Sequence, residues 1–121
     1  MCSVEIAGLR GTEYRVTGDR TLRRDDDDVV RVRDYLDRVY VSAPPVLELR
    51  DGARTLTIES EGFPDAVVWN PGAERAAALT DLERGGEKRF VCIEAAVAQT
   101  PVTIGPRRKW IGTQTLTARA R

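Results

Sequence analysis

An antiparallel all-β fold is what this sequence predicts, on three observations. Short segments that alternate apolar and polar residues recur along the chain. Glycine, proline, aspartate and asparagine punctuate them at short intervals, and only Ala73 to Leu82 has helical composition. Alternation marks a strand because successive β side chains point to opposite faces. Strands separated by turns rather than by helices pair antiparallel.

The segments follow in order. Ser3 to Ala7 is closed by the breakers Gly8 and Gly11, and Glu13 to Thr17 ends at the turn Gly18-Asp19. Val29 to Arg33 and Arg38 to Ser42 alternate. Val46 to Arg50 and Arg54 to Ser60 are joined by Asp51-Gly52-Ala53, a hairpin signal because Asp-Gly readily supplies positive φ. Ala66 to Trp69 is a short buried strand ending at Asn70-Pro71-Gly72. Phe90 to Ala95, Pro101 to Ile104 and Trp110 to Ala118 complete the set. The last carries the threonine alternation Thr113, Thr115, Thr117 of a half-exposed strand. Ala73 to Leu82 is too short and alanine-rich to be more than a helical connector on the sheet surface.

A chain of 121 residues is read as one domain, 1–121, with neither linker nor internal repeat. With 19 basic against 19 acidic side chains, nothing points to a polyanion, so nucleic acid is not expected as a partner. No basic segment followed by an apolar stretch opens the chain, and no run of about 18 apolar residues occurs. Neither a secretion signal nor a membrane partner is expected, and the expected location is cytoplasmic. Cys2 and Cys92 lie too far apart for metal spacing or a disulfide framework, and Cys92 reads as a buried small hydrophobe. Histidine is absent, which removes Ser/His/Asp triads, Cys/His nucleophiles and histidine-ligated metals. No glycine-rich phosphate loop is found, so nucleotide cofactors are not expected.

Glu94 is the residue that needs explaining. It sits in Phe90-Val91-Cys92-Ile93-Glu94-Ala95-Ala96-Val97, a run apolar on both parities, as in a strand covered on both faces. Phe90, Cys92 and Glu94 fall on one side, Val91, Ile93 and Ala95 on the other. A carboxylate so buried has its charged form disfavoured, and its pKa rises toward the range of a general base near neutral pH. Two alternatives stand beside this: the strand emerges into solvent at Glu94, or an arginine neutralises it.

Two charge runs read as solvent-facing. The acidic run Asp25 to Asp28 lacks the alternate spacing, central glycine and closing glutamate of a calcium loop, and Arg20, Arg23 and Arg24 balance it, so no metal site is assigned. Arg107-Arg108-Lys109 has the chemistry to meet a phosphate but reads as a solvated turn between the last two strands.

Taken in order, Asp37-Arg38-Val39-Tyr40, Val67-Val68-Trp69-Asn70-Pro71, Asp81 and Val91-Cys92-Ile93-Glu94-Ala95-Ala96 resemble the hexose-6-phosphate mutarotases, or glucose-6-phosphate 1-epimerases, of the aldose 1-epimerase superfamily. The resemblance runs from Val4 to Thr117. It implies an antiparallel β-sandwich of the galactose mutarotase-like type, of which this chain is about half, the C-terminal half. It also implies cofactor-independent interconversion of the α and β anomers of a hexose 6-phosphate or related sugar. Glu94 matches the family's catalytic glutamate, which takes the proton of the anomeric hydroxyl, and Asp37 matches an aspartate that binds sugar hydroxyls. The family's acid histidine and most of its phosphate-binding arginines belong to an N-terminal half without counterpart here. Gly72 stands where the family often has tryptophan. Three states are consistent with this: an isomerase from a short gene product, a non-catalytic carbohydrate-binding remnant, or a half-enzyme completed by a second chain or copy. Half a sandwich would expose apolar sheet surface, and self-association is expected.

Overall fold

The structure, a computed structural model, describes residues 4–120. Ten strands and two short helical turns follow the chain: β1 (Val4–Ala7), β2 (Glu13–Val16), β3 (Arg23–Arg24), β4 (Val29–Val32), β5 (Leu36–Tyr40), β6 (Val46–Arg50), β7 (Arg54–Glu61) and β8 (Asp65–Asn70). Helix α1 (Gly72–Ala76) and a 3₁₀ turn (Gly86–Arg89) come next, then β9 (Cys92–Ala96) and β10 (Thr113–Ala120). They form two five-stranded sheets, ordered β10-β7-β6-β1-β4 and β3-β2-β5-β8-β9, with every pairing antiparallel.

The inward faces close over one core. Ile6, Val30, Val32, Leu47 and Ile58 from the first sheet meet Tyr40, Ala66 and Val68 from the second, all buried. Even-numbered residues of β5 and β8 therefore point inward, together with Val91 and Ile93 before and within β9. The hairpin at Asp51-Gly52-Ala53 forms as its sequence predicts. Gly52 has φ of 85°, and Asp51 Oδ1 accepts the Arg54 backbone N–H at 2.8 Å, which sets the register Arg50↔Thr55.

Several expectations are corrected. The strand expected over Arg38 to Ser42 runs two residues earlier, as β5, because Ser42 turns the chain with φ of 50°. Pro101 to Ile104 is irregular and pairs with nothing among the described residues. The helix expected over Ala73 to Leu82 is a single turn, and its continuation breaks into loose turns because no core lies beneath it. Strand β3 adds a two-residue edge not seen in the sequence. The Ser3 end of the first expected strand and Cys2 lie outside the described residues. Gly72 has a physical reason to differ from tryptophan. Its φ is 70°, and a Cβ there would lie 2.7 Å from both the Asp34 carboxylate and the Tyr35 backbone nitrogen.

No described helix is long and apolar enough to cross a membrane. An apolar cleft of about 560 Å³ opens where Val4, Val32, Leu49, Phe90 and Val91 meet at the edge of the core.

Candidate functional site

The site is the outward face of β2-β5-β8-β9. Register builds it row by row. Arg15 lies opposite Val39, Val39 opposite Val67, and Val67 opposite Glu94. In the next row Asp37 lies opposite Trp69, and Trp69 opposite Cys92. All share the odd parity of β5 and β8, whose even positions fill the core, so Glu94 and Asp37 stand on one face despite their distance in sequence. Two strand spacings and a two-residue offset separate their Cα atoms by about 12 Å. Trp69 and Val67 form the floor between them, and the Trp69 and Phe90 rings stack at a tilt, 5.9 Å between centroids.

The carboxylates are presented differently. Asp37 is half-buried, and Thr17 Oγ1 donates to its Oδ1 at 2.8 Å, which fixes its rotamer and leaves Oδ2 for a ligand. Glu94 is exposed. The two-faced burial expected for β9 is thus half right: Val91 and Ile93 pack inward, whereas Glu94 stands in water and no arginine pairs with it among the described residues. The burial that its apolar neighbours in sequence promised does not occur, because Val91 and Ile93 face the core and nothing among the described residues roofs the other side. Cys92, beside it, is half-buried rather than buried, and its thiol is pushed up by burial and then by the Glu94 charge.

Three residues with no role assigned from sequence hold this face. Asn70, fully buried, donates through Nδ2 to the backbone carbonyls of Glu87 at 2.9 Å and Phe90 at 2.7 Å, while its Oδ1 accepts the Gly72 N–H at 3.0 Å. One side chain thereby ties the end of β8 to the segment that leads into β9, and so sets where Glu94 begins its row. Asp65, 2% exposed, holds the segment that leaves β9. Its Oδ2 accepts the backbone N–H groups of Ala98, Gln99 and Thr100 at 3.1, 2.6 and 2.7 Å, and its Oδ1 accepts from Ser42 N at 3.2 Å and Thr100 Oγ1 at 2.9 Å. Burial works against this charge, but the Thr100, Gln99 and Ser42 donors outweigh it and hold the Asp65 carboxyl below the usual carboxylate range. In the sequence Asp65 shows only as a polar side chain after Pro64, and Asn70 only as part of the Asn70-Pro71-Gly72 turn and of the Val67-Val68-Trp69-Asn70-Pro71 motif.

The third is Asp25, which corrects the reading of Asp25 to Asp28 as wholly solvated. Asp26, Asp27 and Asp28 are exposed, but Asp25 is buried. It accepts from Tyr40 OH at 2.8 Å and from Arg38 Nη1 at 3.3 Å, and the Arg38 guanidinium stacks on Tyr14, 4.4 Å from its centroid. Burial drives the Tyr40 phenol far above its ordinary range against the opposing pull of Arg38. Tyr40 is therefore a permanent donor on the inward side of the sheet, remote from the chemistry of Glu94. Arg107, Arg108 and Lys109 are exposed on a turn closed by Arg108 N–H to Gly105 O at 3.1 Å, as expected except that no strand precedes them. Among the described residues no group of three or more acidic or cysteine side chains is arranged to hold a metal ion.

A family model described as "Aldose 1-epimerase" matches residues 2–117. The chain is 33% identical over 118 residues to a Cenchrus ciliaris protein named "Putative glucose-6-phosphate 1-epimerase", covering 95% of this chain and 36% of that one. A Salmonella typhimurium protein of the same name is 30% identical over 103 residues, covering 84% of this chain and 35% of its own length. The crystal structure of a "putative mutarotase (YeaD)" from Salmonella typhimurium superposes with a TM-score of 0.90 and 25% identity over 99% of this chain and 41% of that one. The chain thus spans just over a third of the curated relatives it matches, less than the half expected. On sequence and on fold, the chain belongs to the aldose 1-epimerase family.

Proposed function

We propose that this chain carries the base and part of the sugar-binding surface of a cofactor-independent hexose-6-phosphate mutarotase, completed by a further segment that brings the acid. The observation that carries the reading is the shared face: Glu94 and Asp37 flank Trp69 at a spacing that accommodates one sugar ring. In this scheme Glu94 removes the proton of the anomeric hydroxyl while an acid protonates the ring oxygen. The C1 to ring-oxygen bond breaks, the aldehyde rotates about C1–C2, and the reverse transfers close the ring on either face. Asp37 Oδ2 accepts a sugar hydroxyl, and Trp69 offers an apolar platform to the ring.

No histidine is present to serve as the acid, and Glu94 is exposed. Both facts favour a second reading for the chain by itself, sugar binding without turnover, since the acid partner is missing and the carboxylate stands open to water rather than enclosed with a substrate. Anomer-exchange NMR on glucose 6-phosphate separates the two. The chain alone is expected to leave the exchange rate near that of buffer, and the N-terminal portion of a family relative, added in trans, to restore it. Glu94→Gln then lowers the restored rate by about 10²–10⁴-fold, whereas Asp37→Asn raises KM more than it lowers kcat. Fast exchange by the chain alone that survives Glu94→Gln would refute the assignment.

A further inference from the structure

The outer strands of the two sheets are β10 and β4 in one, β3 and β9 in the other. An outer strand leaves a row of backbone N–H and C=O groups unpaired, and folds blunt such edges by shortness, charge or proline. Three of these edges are blunted. β3 is two residues, both arginine, β4 is four residues with Arg31 among them, and β9 is five residues with Glu94 among them. β10 is not: it runs for eight residues, all exposed, with no charge from Thr113 to Ala118 and no proline. Leu116, its largest apolar side chain, is 58% exposed.

The strand itself says what fits this edge. Thr113 lies opposite Glu61, Thr115 opposite Glu59 and Leu116 opposite Ile58. The outward face of the β7-β10 pair thus has acid at one end, Glu59 and Glu61, and base at the other, Arg119. Arg119 Nη2 donates to Thr57 Oγ1 at 3.1 Å, and no ion pair engages Arg119, Glu59 or Glu61 among the described residues. A second copy of β10 laid parallel and in register would set Arg119 beside Arg119. Laid antiparallel, it brings Arg119 to the acidic end.

Symmetry narrows the register. The two-fold axis of an antiparallel seam stands perpendicular to the sheet, so each residue opposes one of its own parity. Centring the seam on Leu116 sets that side chain against its own copy, whereas centring it on Thr117 would set it against Ala118. In the Leu116 register Thr115 opposes Thr117 of the second copy, and Thr113 opposes Arg119 of the second copy. Glu61, Thr113 and that arginine then share one row. The Cα atoms of Glu61 and the arginine stand about 10 Å apart, two strand spacings, within the joint reach of the two side chains across a threonine. On the other face, the two Leu116 side chains meet between the two Ile58 positions, and each gains the apolar neighbour that the second sheet does not supply beyond β7.

We infer that two copies of this chain associate through β10, antiparallel about a two-fold axis at Leu116, joining their first sheets into one. Association stops at two, because the far edge of the joined sheet is the short, charged β4. The seam lies in the sheet opposite the one that carries Glu94 and Asp37, so it goes beyond the function proposed above and leaves that face open in both copies.

The test is sedimentation equilibrium over a concentration series, which should show a monomer–dimer equilibrium. Leu116→Lys sets two ammonium groups face to face at the axis and weakens the dimer by more than about tenfold. Arg119→Glu and Glu61→Arg each weaken it by about fivefold, since the axis makes each contact occur twice, and the double variant recovers the parent affinity. All three positions are exposed, so folding is little affected. In a sample of mixed ¹³C-labelled and unlabelled chains, NOEs join Leu116 methyl groups across the seam, and Glu94→Gln leaves the dimer unchanged. A chain that stays monomeric, association that runs past the dimer, or a dimer indifferent to Leu116→Lys overturns the inference. A double variant as weak as the single ones overturns the register and the two-fold with it. If the chain is monomeric and the N-terminal portion of a family relative shifts the β10 amides instead, the edge belongs to that segment and the inference is wrong.

Discussion

Strands β8 and β10 are both regular and antiparallel to their neighbours, yet they occupy opposite extremes of burial. β8 lies between β5 and β9, with four of its six residues buried, and it carries Asp65 and Asn70 at its two ends. β10 pairs with β7 over all eight residues, and every one of them is exposed. Its Leu116 lies opposite Ile58, on the side that faces the core, but is 58% exposed while Ile58 is 4% exposed. A complete hydrogen-bond ladder therefore does not place a strand in the core. Main-chain pairing holds β10 to its neighbour, and only a second layer would bury it. Beyond β7 the second sheet does not follow, and the sandwich stands open there.

The comparison is broken most severely at Asn70. Asn70→Ala removes three hydrogen bonds, two buried and one partly buried, and takes a partner from two backbone carbonyls and one N–H. It is expected to lower the unfolding free energy by about 3 kcal/mol, at about 1 kcal/mol for each. Urea denaturation measures this; a loss similar to that of a surface substitution would mean that the segment between β8 and β9 is held by something else. The same variant should shift β9 amide resonances more than those of β10.

Asp65→Asn comes next and is read against pH. The folded carboxyl sits below its ordinary range, so its contribution is present above the unfolded pKa, about 3.9, and is lost as pH falls through the lower folded value. The variant is expected to be less stable than the parent by about 2 kcal/mol at pH 7, with the difference shrinking as pH falls below about 4. A difference that stays constant down to the acid transition would show that the five hydrogen bonds act by shape rather than by charge.

β10 is where the smallest effects on folding are expected. Leu116→Lys should change stability by less than about 0.5 kcal/mol, and β10 amides should exchange with solvent faster than those of β8. The same substitution should alter association. An eight-residue edge with Leu116, and with Ile111 before it, exposed is a template for another strand. Light scattering behind size exclusion should find the parent chain larger than a monomer at micromolar concentration and the variant closer to one. A parent chain that is cleanly monomeric would mean the open edge is tolerated as it stands.

What could be read from the chain alone was local. Asp51-Gly52-Ala53 closes its hairpin because the φ it needs is a property of the glycine itself. The parity of Val91 and Ile93 against Cys92 and Glu94 came out as predicted because side-chain period is a property of any strand. The ordered motifs around Asp37, Trp69 and Glu94 carried the family. Whether a face is covered is a different kind of question. The apolar letters around Glu94 could not say which of them would turn inward over a core and which would stay in water, since that depends on a second layer contributed by distant residues. Nothing in Asp25 to Asp28 marks the first aspartate as the buried one; the proximity of Tyr40 and Arg38 makes it so. Arg15 and Gln99 are 84 positions apart, and no spacing rule links them. They meet because β2, β5, β8 and β9 lie side by side and Asp65 folds the chain back across their ends. Turns and periodicity belong to neighbours in sequence; cover, charge partners and the two ends of the proposed sugar site belong to strand order, which exists only once the sheets have formed.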